Sequence, residues 1–206
     1  TSIGKLIMTH PTEKWKIKRY IHLGIGLFEG SAYFLPSLLI LSMLGNEGVL
    51  GTLTALASIL SAILVYVYGR KSETKSHRKY FIISIIFGLL SSVILALFFN
   101  WLTIIVYVLL NGLIINFIWL TAAPLIMNNI DVEIINNEEK RFSYILDGEI
   151  FVNIGRSAAA IICIVLALSM SDITALRYGS LILSCIQLTL FVYLEKIRKR
   201  AKLTMV

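Results

Sequence analysis

Residues 20–43 read YIHLGIGLFEGSAYFLPSLLILSM, an apolar run in which Glu29 is the only carboxylate and no Lys or Arg appears. A helix rising 1.5 Å per residue needs about 20 mostly apolar residues to cross the hydrocarbon core of a bilayer. The run is apolar on all sides, whereas a helix on the surface of a soluble domain carries one polar face. Five further runs meet the same length, at roughly 48–69, 79–99, 101–127, 148–170 and 173–194. The expected fold is an all-α integral membrane protein, a bundle of six transmembrane helices. The turns around Gly45-Asn46, Asn100 and Ser171-Asp172 are short, so consecutive helices form antiparallel hairpins.

Composition agrees. The chain is 57% hydrophobic and 15% charged, with a mean hydropathy of +0.83. A soluble domain has about 45–50% apolar and about 25% charged residues, enough to clothe a water-facing surface. The net charge of +7 does not point to nucleic acid, because the basic residues sit in short clusters between apolar runs. That placement suits anionic headgroups. A nucleic-acid face would interleave aromatic and basic side chains, and none is visible.

The same clusters set the orientation. Lys5, Lys14, Lys16, Lys18 and Arg19 precede the first run, and Arg70, Lys71, Lys75, Arg78 and Lys79 follow the second. Lys140 and Arg141 follow the fourth, and Lys196, Arg198, Lys199, Arg200 and Lys202 form the tail. The other three turns carry none. Positive-inside bias then places both termini in the cytoplasm of a multi-pass protein of the cell membrane. Residues 1–19 form a cytoplasmic basic linker, 20–194 the transmembrane domain and 195–206 a cytoplasmic tail.

Trp15 and Trp101 stand at run ends, where aromatic rings favour the membrane–water boundary. Pro36 and Pro124 lie within the first and fourth runs, and each removes a backbone hydrogen bond and kinks its helix. Residues 128–147 form the one long loop, made acidic by Asp131, Glu133, Glu138 and Glu139, with room for a short interfacial helix. Cys163 and Cys185 read as small buried hydrophobes outside any CxxC or Cys/His spacing. His10 and His77 sit in the linker and the basic turn, and no metal or cofactor is expected. The first apolar run is too long and too late for a signal peptide. The chain starts Thr1-Ser2 without an initiator Met, as a piece of a longer protein would.

Gly69-Arg70-Lys71-Ser72-Glu73-Thr74-Lys75-Ser76-His77-Arg78-Lys79 resembles the cytoplasmic signature G-x-x-x-D-R-x-G-R-R of the major facilitator superfamily. Gly69, the acidic Glu73 and the basic pair Arg78-Lys79 match in kind. The basic pair comes one residue later, Glu replaces Asp and the second Gly is absent. Glu149-Ile150-Phe151-Val152-Asn153-Ile154-Gly155-Arg156 is similar to a run in the eleventh helix of bacterial members. The resemblance spans essentially the whole chain and implies the carboxy-terminal half of a twelve-helix transporter. Its partner is then the amino-terminal half, with substrate bound between the two. It also implies that the first, second, fourth and fifth helices line the central cavity while the third and sixth are peripheral. Glu73 with Arg70, Arg78 and Lys79 then forms a charge network that stabilises one conformational state; solvated positive-inside charge is the plain alternative.

A charge near the bilayer centre costs about 2.5–3.5 kcal/mol by insertion scales, so each needs a reason. By helix rise, Glu29 and Arg156 lie roughly 4 Å, and Asn116 roughly 3 Å, to the cytoplasmic side of the midpoint of their runs. An acid, a base and an amide from three cavity helices thus share one depth. They are the candidate substrate- and proton-binding site, with Asn111 and Asn153 nearby. Glu29 is the candidate proton carrier, since desolvation favours a neutral carboxyl; Arg156 holds an anionic group or acts as counter-ion to Glu29. The plain alternative is a buried pair that fixes helix packing. His22 and Glu149 lie near the cytoplasmic boundary, Glu149 paired with a basic residue there. Arg177, near the outer end of the sixth helix, snorkels or pairs with Asp172. Gly26 with Gly30, Gly51 with Ala55 and Gly155 with Ala159 have the spacing that lets helices approach closely.

Secondary active transport of a small solute by alternating access is the expected function, with protons as a candidate coupling ion. An enzyme is disfavoured: no HExxH, His cluster or nucleophile motif lies in or near the spans, and the outer turns are too short for a catalytic lid. A channel is disfavoured because no re-entrant segment is visible. The remaining alternative is a six-helix scaffold or assembly protein without transport activity. The substrate is not legible from Glu, Arg and Asn alone.

Overall fold

The computed structural model describes residues 11–45, 47–71, 77–133 and 141–203. They form six helices: α1 (Glu13–Leu44), α2 (Glu47–Lys71), α3 (His77–Leu97), α4 (Trp101–Glu133), α5 (Arg141–Ser169) and α6 (Asp172–Leu203). Among the described residues, five of these, α1 to α5, are long and apolar enough to cross a membrane.

Local chemistry sets the helix ends. Thr12 caps α1, its side chain accepting from the Trp15 amide at 3.2 Å. Gly45 ends it in the left-handed region at φ 59, where a side chain is disfavoured, and its N–H returns to the Leu41 carbonyl. Asn100 and Thr103 cap α4 reciprocally, each side chain accepting from the other's backbone N–H. The three tight turns therefore fall where the sequence places them. Three boundaries differ, the first being that α6 runs on to Leu203 through most of the expected tail. α1 starts at Glu13, so the end of the expected linker is helix. The expected 128–147 loop is mostly helix too, since α4 runs on to Glu133 and α5 starts at Arg141. An exposed Arg141–Asp131 ion pair at 3.2 Å holds the two ends together. The interfacial helix expected between them lies outside the described residues.

α1 is the central helix, packing most extensively on α5 and also on α6, α4 and α2. α3 packs on α4 and α6, and α2 mainly on α4. One core cluster joins Ile25 and Phe28 of α1 to Phe81 and Ile85 of α3 and to Ile114 and Ile118 of α4. A second, towards the Gly45 turn, joins Leu39 and Ile40 to Leu53, Leu95 and Ile104. Between α3 and α6, Ser92 meets Ser180 and Ser184 at 2.7 and 3.0 Å, and Tyr107 of α4 adds its hydroxyl to Ser180 at 2.7 Å. This buried hydroxyl seam satisfies every member within the protein, as a site without water requires. The outer surface is the reverse of a soluble protein's. Phe87, Leu90 and Ile94 of α3, Leu56 and Leu60 of α2, and Ile161, Ile164 and Leu168 of α5 all point outward. So large an apolar exterior is stable only against lipid or protein.

Several expectations are corrected by the packing. Trp15 is not a boundary ring: it is 0% exposed, and its indole N–H is taken by a buried carboxylate. Trp101, by contrast, is exposed at the start of α4. Arg177 does not pair with Asp172; it donates to the Ala96 and Leu97 carbonyls, which α3 leaves unpaired at its C-terminus. Cys163 and Cys185 are free thiols, and Cys185 is exposed. Gly51 has nothing near it and Ala55 is exposed, so that small-residue pair packs against no described residue of this chain.

Candidate functional site

The site begins at a helix crossing with two glycines on α1 and one on α5. A Cβ on Gly26 would collide with the Val152 carbonyl oxygen, and one on Gly155 with the Leu23 carbonyl oxygen. A Cβ on Gly30 would stand 2.9 Å from both the Arg156 Cα and the Ala159 Cβ. Backbone-to-backbone approach this tight needs glycine at each point, which explains the small-residue spacing in α1 and α5. Both helices run the same way, and their neighbouring residues Glu29 and Arg156 leave the crossing side by side.

The Glu29 carboxylate is 3% exposed and receives four donors. Arg156 gives Oε2 both Nε at 2.9 Å and Nη2 at 2.7 Å. The Tyr33 hydroxyl and the Trp119 indole N–H each donate to Oε1 at 3.1 Å. Arg156 then spends Nη1 on the Asn153 Oδ1 at 2.9 Å. Three helices therefore converge on one carboxylate, which makes an ionised Glu29 tolerable away from water. The site is closed on the Glu29 side and open on the other. The Arg156 side chain is 34% exposed, Tyr33 is 61% exposed, and Asn153 and Ser157 lie exposed beside them on α5.

The expected site residues divide. Glu29, Arg156 and Asn153 come together. Asn116 does not join their hydrogen bonds: its amide donates to Ser61 at 3.1 Å and to the Gly112 carbonyl at 2.8 Å, tying α4 to α2. It is exposed and lies one helical turn from Trp119 on α4. Asn111 is buried and donates to the Ala32 carbonyl at 3.0 Å, a packing contact between α4 and α1. Of the basic turn, Glu73 lies outside the described residues, as do the side chains of Lys71, His77 and Arg78. Gly69 is open, Lys79 is exposed, and Arg70 donates to the Tyr66 hydroxyl at 3.1 Å.

A second ion pair, absent from the sequence-based site, joins the same two helices. Asp147 of α5 is buried and receives Arg19 of α1 in two bonds, Nη2 to Oδ1 at 2.6 Å and Nε to Oδ2 at 2.7 Å. The Trp15 indole N–H adds a third donor at 2.6 Å. Tyr144 packs edge-on to Trp15, and Phe151 covers the Arg19 guanidinium at 4.9 Å. Buried His22 fits against Gly148, its Nδ1 at the Lys18 carbonyl, 2.9 Å away. Glu149 is exposed beside this cluster, so Asp147 and not Glu149 is the acid that pairs with a base here.

Two signals for the missed residues exist. Tyr33 is four residues from Glu29, hence on the same helix face, and Trp119 is three from Asn116. Asp147 sits just before the apolar run of the fifth helix and reads as loop. No protein-family model matches this chain, and neither a curated protein nor a solved structure matches it.

Proposed function

We propose that this chain is the carboxy-terminal half of a secondary active transporter of the major facilitator type, with all six helices spanning the cell membrane and both termini in the cytoplasm. The observation that carries the reading is the open side of the Glu29–Arg156 site. Tyr33, Asn153, Ser157 and Asn116 are polar and exposed, and Arg156 is partly so, on helices whose exposed residues are otherwise mostly apolar. Acyl chains offer such groups no partner, whereas a water-filled cavity does. An amino-terminal half of six further helices would close that cavity, and a small solute would bind there. The chain acts by moving solute and not by bond chemistry, so it is not an enzyme.

Glu29 and Arg156 are the residues assigned to substrate and proton. A neutral Glu29 no longer holds the guanidinium, so protonation frees Arg156 for an anionic group of the solute. The degenerate signature at 69–79 is the conformational element. The full-length protein should show a stabilising solute in a thermal-shift screen, and uptake or efflux of that solute should follow an imposed pH gradient. Glu29→Gln should abolish the pH-driven part. Transport that keeps its pH drive in Glu29→Gln would refute the proton-carrier role. A full-length protein that moves none of the solutes it binds would favour the scaffold reading, for which the fully satisfied Glu29 carboxylate is the supporting observation.

A further inference from the structure

Each oxygen of the Glu29 carboxylate offers two lone-pair directions, and each has two donors. Oε1 accepts from the Tyr33 hydroxyl and from the Trp119 indole N–H, both at 3.1 Å. Oε2 accepts from Nε and Nη2 of Arg156. The ionised group is therefore saturated. A proton arriving on Glu29 has to take the place of one of these donors. It also becomes a new O–H, and in so buried a site that O–H needs an acceptor.

The chemistry of the four donors decides which one gives way. Guanidinium N–H groups only donate, and arginine keeps its proton inside proteins. The indole N–H also only donates. A phenol both donates and accepts, so Tyr33 alone can turn its bond with Oε1 around. Tyr33 also meets the outside: it lies one turn beyond Glu29 on α1 and is exposed on the open side of the site. Among the described residues, Arg156 is the one charged group bonded to Glu29. The other described charges stand near helix ends: Glu47 and Arg70 on α2, Lys79 on α3, Asp131 on α4, and Asp172 and Arg177 on α6. The Arg19–Asp147 pair and Glu149 lie at least about 10 Å away along α1 and α5.

We propose that Tyr33 is the proton relay of Glu29. A proton from water on the open side joins the phenol oxygen as the phenol's own proton moves to Oε1. Tyr33 is neutral before and after, and the one proton gained resides on the carboxyl. The bond between them is then reversed, with Glu29 donating, Tyr33 accepting and the new phenol O–H turned outward. Trp119 keeps its bond to the remaining lone pair of Oε1, and Arg156 keeps Oε2 until a solute competes for it. Release of the proton runs in the opposite order. The relay rests on the reading that the open side of Arg156 faces water.

The test follows the proton and not the solute. In the purified full-length protein, a carboxyl stretching band in the infrared that is lost in Glu29→Gln reports the neutral Glu29. After a rapid drop in pH, Tyr33→Phe should delay that band by about a hundredfold, the low end of what a positioned proton-transfer group contributes. Trp119→Phe removes a donor at the same distance from the same oxygen, but no acceptor, and should delay the band far less. Tyr33→Gln carries its donor and acceptor on separate atoms and cannot pass a proton through. It should be as slow as Tyr33→Phe, and it serves as the comparison should Trp119→Phe not fold. Equal delays in Tyr33→Phe and Trp119→Phe, a rate restored by Tyr33→Gln, or no band that depends on Glu29 would overturn the relay. Neither solute nor gradient is present in this measurement. A relay seen in a protein that moves no solute would therefore strike the transport reading alone, and equal delays in a protein with pH-driven transport would strike the relay alone.

Discussion

α1 and α5 are joined by two ion pairs, about 15 Å apart along the helices, built from the same parts in opposite order. Near the start of α1 the base is Arg19 and α5 supplies Asp147; deeper in, the acid is Glu29 and α5 supplies Arg156. Each carboxylate is buried, and each takes an indole N–H besides its arginine, from Trp15 and Trp119 respectively. They differ in what meets the arginine's other side. Phe151 covers Arg19, whereas Arg156 faces outward beside Asn153 and Ser157. A buried pair is thus not evidence of function in itself; the lower one is a clasp. What singles out the upper one is an arginine with an open edge on a face that lipid cannot satisfy.

Removing the clasp should cost most. Asp147→Ala leaves Arg19 without its carboxylate and the Trp15 N–H unbonded in a closed site, a loss of about 3–5 kcal/mol. Thermal unfolding in detergent should show it as a large fall in midpoint, and a fall no greater than that of Glu29→Gln would erase the distinction between the pairs. Gly155→Val attacks what both pairs share, because the new side chain meets the Leu23 carbonyl and cannot be absorbed by a rotamer change. About 3 kcal/mol should be lost, with folded yield falling accordingly. Glu29→Gln should cost only about 1–2 kcal/mol, since the exposed edge of Arg156 remains open to water, yet it should remove pH-driven transport. Tyr33→Phe deletes one donor of four and should lower the midpoint by about 1 kcal/mol or less, while changing solute affinity if Tyr33 lines the cavity. An equal stability loss in all four variants would mean that the two sites are one packing unit.

The helix count and the turns were legible because a bilayer fixes run length, and because Gly45, Asn100 and Ser171 are strong helix-end residues. Glu29 and Arg156 were legible because a charge inside an apolar run stands out and has to find its opposite. The rest is hidden for physical reasons. Asp147 sits where an apolar run begins, so nothing in its neighbours tells a buried clasp from a surface loop. Tyr33 and Trp119 look like the aromatic residues that line any membrane helix, and only the crossing geometry turns their donors onto Glu29. Asn111 and Asn116 show the converse. Both are amides in one apolar helix, but α1 claims the first and α2 the second.

The central claim is that the open side of Arg156 faces water inside the membrane. It is tested most directly by cysteine accessibility in the full-length protein in its own membrane, with Cys163 and Cys185 replaced by Ala. Asn153→Cys and Ser157→Cys, beside Arg156, should react with a membrane-impermeant maleimide, while Phe87→Cys and Leu90→Cys on the apolar face of α3 should not. Protection of the first two to the same degree as the second two would show a dry face and contradict the cavity.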